Sequence, residues 1–272
     1  MAQYSEGRGH TEIFFIVPLL WSVQGMPKHV KIRYGRWNEA WGGYQAFLEG
    51  LASREGVKRI CEIGGGANPA LSLEFIREHK LSYVILDISA EELVKAPEGY
   101  EKVQADIASP HLDIPGGYDL VFSKMLAEHI RDARQFHENV LSILAEGGIA
   151  FHFFPTLYAM PFILNRLMPE RLSAILLRTF APRDSYRFAK FPAYYRWCRG
   201  PTHTQIKRFE ALGYEVEEYI GFFGHGYYMG IKPLDKLNSF IADILISHPI
   251  PSLTSYAYTI LRRCEGPHLN HY

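Results

Sequence analysis

From residue 57 onward, short apolar runs alternate with segments whose apolar residues recur at helical spacing. Runs at 57–64, 83–88, 100–105, 118–123 and 148–154 are rich in β-branched and aromatic residues, which predicts five strands. Between them, 69–79 places Leu71, Phe75 and Ile76 on one side, and 132–145 carries Phe136, Val140, Ile143 and Leu144 at helical intervals. Ser89 with Glu92 has the form of a capping box, and Gly147-Gly148 is expected to end the 132–145 helix before the fifth strand. Thr202 with Gln205 and Gly213 bracket another helix, and strands at 215–223 and 255–262 flank an amphipathic helix around 234–246. Such alternation predicts an α/β fold with a seven-stranded, mostly parallel sheet and helices on both faces.

The pattern divides the chain into four parts. Residues 1–56 precede the alternation and carry Tyr34, Arg36, Trp37, Trp41 and Tyr44 just before the core. Residues 57–155 form the core, and 202–272 complete its sheet. The connection at 156–201 is far longer than the few residues that usually join strand and helix, so a helical cap over a substrate pocket is expected there. Its apolar positions, Leu167, Met168, Leu172, Ile175, Leu176 and Phe180, alternate with Arg166, Arg171 and Arg178. That mixture suits a lid on the core or a peripheral contact with a membrane surface. Farther on, Phe188, Phe191, Tyr194, Tyr195 and Trp197 interleave with Arg187, Lys190, Arg196 and Arg199, a strip suited to stacking rings and gripping an anion.

Composition narrows the function classes. Lys plus Arg and Asp plus Glu both number 29 in the 272 residues, so the chain has no excess of positive charge for a nucleic-acid backbone. The three cysteines, Cys61, Cys198 and Cys264, are far apart and form neither a disulfide framework nor a zinc spacing. The run at 13–21 contains Pro18 and is too short to span a bilayer. A cytoplasmic protein without a metal site is expected; His268 and His271 read as tail residues.

The chemistry concentrates at Ile60-Cys61-Glu62-Ile63-Gly64-Gly65-Gly66-Ala67-Asn68-Pro69: an apolar strand, an acid and a glycine-rich turn, with Pro69 expected to open a helix. Glycines let a ligand lie against the backbone, so the turn reads as a cradle for a nucleotide-type cofactor. The dinucleotide pattern G-x-G-x-x-G is broken at its third glycine.

With the acid ahead of its glycines, this stretch resembles the first motif of the class I S-adenosylmethionine-dependent methyltransferases, a Rossmann-like family. Glu62, Gly64 and Gly66 match it, and Asn68 stands where a last glycine is usual, with a left-handed backbone expected. The resemblance continues in order through Val84-Ile85-Leu86-Asp87-Ile88-Ser89, Gln104-Ala105-Asp106-Ile107, Tyr118-Asp119-Leu120-Val121-Phe122-Ser123 and Leu144-Ala145-Glu146-Gly147-Gly148-Ile149. It implies S-adenosyl-L-methionine held by Glu62, Gly64, Gly65, Gly66, Asp87, Ile88, Ser89, Asp106, Ile107, Ser123 and Met125. Asp87 would take the ribose hydroxyls, Asp106 the adenine amino group, and Ile88 with Ile107 the two faces of the ring. The resemblance also implies that residues 1–56 form leading helices over the site, with some of their aromatics at the pocket.

The same resemblance implies a methyltransferase with a small-molecule, sugar or lipid-like acceptor. Immediately beyond the fourth predicted strand stands the Glu128-His129 pair. Histidine titrates near neutrality, so His129 is the expected base for a proton leaving an acceptor oxygen, oriented by Glu128. The strand lacks the Asn-Pro-Pro-Tyr type of motif of enzymes that methylate amines on macromolecules. Two other readings are a nicotinamide- or flavin-dependent oxidoreductase, disfavoured by the broken glycine pattern, and a non-catalytic adaptor of the same fold.

Overall fold

The computed structural model describes residues 30–157 and 192–264. Eight strands among them form one sheet: β1 (Lys31–Arg36), β2 (Arg59–Ile63), β3 (Ser82–Asp87), β4 (Glu101–Gln104), β5 (Tyr118–Lys124), β6 (Leu144–Pro155), β7 (Tyr214–Phe223) and β8 (Tyr256–Arg263). Their spatial order is β1-β7-β8-β6-β5-β2-β3-β4. Every pairing is parallel except those of β8, which runs antiparallel between β6 and β7.

Alternating side chains sort the core onto the two faces of the sheet. On one face, Phe136, Val140 and Ile143 of α5 (Ala133–Ile143) and Ile206 and Phe209 of α6 (His203–Glu210) pack against Cys61, Ile63, Val121 and Ala150. On the other, Tyr44, Leu48 and Leu51 of α2 (Tyr44–Ala52) cover Ile60, Ile85, Leu120, Phe122, Phe151 and Phe153. The remaining helices are α1 (Trp37–Gly42), α3 (Leu73–Glu78), α4 (Ala90–Lys95) and α7 (Lys232–Ser247).

Three details depart from the sequence pattern. The sheet has eight strands rather than seven, because β1 adds to the edge beside β7, where polar Lys31 and Arg33 pair with Glu218 and mask the strand's apolar alternation. Helix α5 stops at Ile143 and β6 begins at once, so Gly147 and Gly148 lie inside the strand. Gly147 has φ +70° where the β5–β6 register slips, so the glycine pair serves an irregular ladder and not a helix end. Finally, α3 begins at Leu73 and not at Pro69: Ser72 caps it by accepting the Phe75 N–H at 3.1 Å, and Pro69 lies in the preceding loop.

The other caps follow the sequence. Ser89 accepts the Glu92 N–H, Asp132 those of Arg134 and Gln135, and Thr202 that of Gln205. Most of the expected cap, residues 158–191, lies outside the described residues, as do 13–21, His268 and His271. Among the described residues, no helix is long and apolar enough to cross a membrane.

Candidate functional site

The carboxyl ends of β2, β3 and β5 lie side by side, and the glycine turn leaves from the middle one. Gly64 has φ +77° and donates its N–H to the Leu86 carbonyl at 2.7 Å, tying the turn to β3; Gly66 has φ +41°. Asn68 is not left-handed: its N–H closes the turn onto the Gly65 carbonyl at 2.9 Å, so a last glycine is not needed.

The acids press against this turn. A Cβ on Gly65 would stand 2.6 Å from the Glu62 carboxyl carbon, and one on Gly66 would stand 3.1 Å from Asp87 Oδ2. Glu62 is 4% exposed and accepts the Ala70 N–H at 3.0 Å and the Tyr83 hydroxyl. Burial raises its pKa to about 7 against the opposing pull of those hydrogen bonds. Its carboxylate holds the loop beneath the cradle and is not open on its surface.

Asp87 ends β3 half-buried, with Oδ1 accepting the Ser89 N–H at 2.9 Å and Oδ2 on the side of Gly66. Next to it Ile88 is 63% exposed, a large apolar side chain in solvent at the rim of the turn. Asp106 is exposed and accepts the Ala108 N–H at 2.9 Å. Besides Glu62, two predicted residues are not brought to the rim. Ile107 is buried in the core, and the Ser123 hydroxyl is fully buried 2.8 Å from His152 Nδ1. Burial lowers the His152 pKa to about 3, so that ring is neutral and structural. Asp119, from the fourth motif, pins the opposite end of β2 by accepting the Lys58 and Arg59 N–H groups at 2.8 Å.

Beyond β5 the chain turns through Met125, whose φ is +53° and whose N–H binds the Phe153 carbonyl at 2.7 Å. The following turn, Ala127–His129, buries Glu128 to 4% exposure. The Glu128 Oε2 atom is buried without a hydrogen-bond partner, and burial raises the carboxyl pKa to about 7. Its backbone carbonyl accepts the Tyr194 and Tyr195 N–H groups at 2.7 and 3.0 Å, which brings the far end of the long insertion onto this turn. His129 Nδ1 lies 3.0 Å from the Pro192 carbonyl. A carbonyl only accepts, so Nδ1 carries the proton and Nε2, 3.8 Å from Glu128 Oε1, is the basic nitrogen of the neutral ring. The arrangement sets a carboxyl whose pKa is raised to about 7 beside the basic nitrogen of the ring.

Beside this turn, Trp37, Trp41, Gly226, Tyr227 and Tyr256 line a cavity of about 280 Å³. Trp41 packs edge-on against Tyr256 and Phe153. Gly226 leaves room for Trp37, whose ring would stand 2.7 Å from a Cβ there. The other leading residues do different work: Tyr34 stacks on Phe223, Arg36 pairs with Asp243, and Tyr44 packs on Phe151. Sequence reasoning missed Tyr227 and Tyr256, which carry no local signal. It also passed over Lys124, a cation directly between two residues it named.

A family model described as "Uncharacterised protein family (UPF0146)" matches residues 45–161, and no curated protein matches by sequence. Among solved structures, phosphoethanolamine N-methyltransferase 2 of Haemonchus contortus in complex with S-adenosyl-L-methionine is similar at 15% identity and a TM-score of 0.51. The match covers 84% of this chain and 53% of that one, so this chain spans about half of that enzyme's length. The [4+2]-cyclase SpnF matches at 13% identity and a TM-score of 0.50, over 85% of this chain and 84% of that one. A methyltransferase and a cyclase among the neighbours mean that the likeness fixes architecture and not reaction. With its sheet order, its parallel core and the antiparallel β8, the chain has the class I S-adenosylmethionine-dependent methyltransferase fold.

Proposed function

We propose that this chain is an S-adenosylmethionine-dependent methyltransferase that acts on an oxygen of a small-molecule, sugar or lipid-like acceptor. The observation that carries the reading is Asp87 at the end of β3, beside Gly66 and next to the exposed Ile88. A carboxylate there accepts from two ribose hydroxyls, at roughly 1.5–3 kcal/mol per charge-assisted bond. Ile88 offers an apolar face for a base, Asp106 an acceptor for its amino group, and the Gly64–Gly66 backbone a close approach. The neighbour from Haemonchus contortus is described with S-adenosyl-L-methionine and, in a second structure, with S-adenosylhomocysteine, which supports the same donor here.

The donor supplies a methyl group already activated on a sulfonium, so the protein's task is alignment and exclusion of water. Trp37, Trp41, Tyr227 and Tyr256 offer ring faces for an apolar or sugar-like acceptor. In this reading His129 Nε2 takes the acceptor proton, and Glu128, on the same side of the ring at 3.8 Å from Nε2, stabilises the charged imidazole. The cap expected at 156–201 would close the acceptor side, and its basic and apolar residues would suit a peripheral membrane contact.

The donor is tested by thermal shift with S-adenosylhomocysteine against NADH and FAD. Stabilisation by S-adenosylhomocysteine alone is expected; stabilisation by NADH or FAD alone would assign the chain to the oxidoreductases. The base is tested with His129→Ala: S-adenosylhomocysteine affinity stays, and turnover on an acceptor found by labelling cell extract falls about 100-fold or more. Unchanged turnover removes His129 from the chemistry. Donor binding without any labelled acceptor would favour the adaptor reading.

A further inference from the structure

We propose that Lys124 binds the carboxylate of the donor's amino-acid tail and so selects for a donor that carries that tail. The inference rests on the donor reading above and adds a residue to it.

Register places the side chain. Ile63 is level with Ser123 in the β2–β5 pairing, so Lys124 stands level with Gly64, the first residue of the turn. Strand alternation puts Lys124 on the same face as Phe122 and Leu120, the face that carries Glu62 on β2 and Asp87 on β3. The order β5-β2-β3 then sets Lys124 and Asp87 on opposite flanks of the glycine turn. A ligand whose ribose lies on Asp87 and whose middle lies over the turn therefore has its other end on the β5 side.

Two aromatic faces hold the ammonium there. Lys124 Nζ is 4.4 Å from the Tyr44 ring centroid and 5.8 Å from that of Trp41, so its charge rests on ring faces and not in an ion pair. It is also near enough to Glu62 to oppose part of that acid's pKa rise. Glu62 is committed to Ala70 and Tyr83 beneath the turn and offers Lys124 no contact at the rim. A cation on an aromatic shelf at the mouth of a cradle is complementary to an anion entering from solvent. The donor's one anionic group is the carboxylate of its tail. Trp41 also lines the acceptor cavity, so the shelf lies on the boundary between the donor's tail and the acceptor.

The test compares two ligands that differ in that tail. S-adenosylhomocysteine carries the amino-acid group, and 5′-methylthioadenosine keeps the nucleoside and sulfur without it. Affinities of both are measured by calorimetry on the full chain and on its Lys124→Ala and Lys124→Arg variants. For Lys124→Ala, S-adenosylhomocysteine binding is expected to weaken about 10- to 100-fold, while 5′-methylthioadenosine binding changes less than about twofold. Lys124→Arg keeps most of the affinity, since it retains the charge. Equal losses for both ligands, or no loss for S-adenosylhomocysteine, overturn the inference and leave the donor reading standing. If the unaltered chain binds neither ligand, the donor reading fails and the inference with it. Lys124 is exposed, so matching melting temperatures of the unliganded variants are the control for folding.

Discussion

The donor cradle and the aromatic cavity lie along the same edge of the sheet, but they are built in opposite ways. The cradle comes from short consecutive stretches: Glu62 to Ala70 closes on itself through Ala70 N–H to Glu62 and Asn68 N–H to Gly65, and only Asp87 and Tyr83 enter from the next strand. The cavity draws Trp37 and Trp41 from α1, Tyr227 from the turn before α7 and Tyr256 from the start of β8. The Glu128–His129 turn is intermediate, local in its own geometry but held by Pro192, Tyr194 and Tyr195 from beyond the long insertion. A site closed by near neighbours can be recognised as a motif. One assembled by sheet order cannot, because its spacing in sequence carries no physical constraint.

Three variants sharpen or break this division. The largest effect is expected for Asp87→Ala: on the proposed donor pose it would remove both ribose hydrogen bonds and weaken S-adenosylhomocysteine binding at least about 100-fold. Calorimetry checks it, and an unchanged affinity would mean that the cradle holds something else.

A second effect lies between the two regions. Burial holds the Glu128 carboxyl at about 7 against 4.5 when unfolded. Between those values the folded chain keeps a proton on Glu128 that the unfolded chain has lost, so this group's contribution to stability falls as pH rises from 4.5 to 7 and is level above. One such group accounts for a decline of about 3 kcal/mol. Glu62 is raised in the same direction to about 7, while His137, His152 and His225, lowered by burial, make stability rise over much of the same range. The readout is therefore the difference: relative to the unaltered chain, Glu128→Gln should gain about 3 kcal/mol of stability from pH 4.5 to 7. Melting temperatures recorded across that pH range test this; identical slopes in both proteins would show that Glu128 is not held protonated by the fold.

The smallest effect belongs to the cavity. Tyr227 is 42% exposed, so Tyr227→Ala should leave the fold and the donor affinity alone while raising the acceptor KM about tenfold. Equal loss of donor affinity would erase the distinction between the two regions.

Much of the core was legible because strands buried on both faces write themselves as apolar runs, as in Tyr83 to Leu86 and Leu120 to Phe122. Strand β1 was not, since an edge strand that alternates Lys31, Arg33 and other half-exposed residues looks like a polar leader. Pro69 misled in the same local way: proline suits a helix start, but the Glu62 carboxylate claims the Ala70 N–H and delays the helix until Ser72 can cap it. Ser123 kept its place in the strand motif, yet its hydroxyl faces His152, because alternation turns it to the opposite side from Glu62 and Asp87.

The sequence by itself determined the alternation of strands and helices, the glycine turn and the acids at Glu62, Asp87 and Asp106, all set by period, capping and backbone freedom within a few residues. Tertiary structure decided the rest. It chose which charges share a face, putting Lys124 across the turn from Asp87. It gave His129 its tautomer through the Pro192 carbonyl and withdrew Glu128 from water. It also gathered Trp37, Trp41, Tyr227 and Tyr256 around one cavity. Each of these depends on strand order and burial, and those follow from packing the whole sheet.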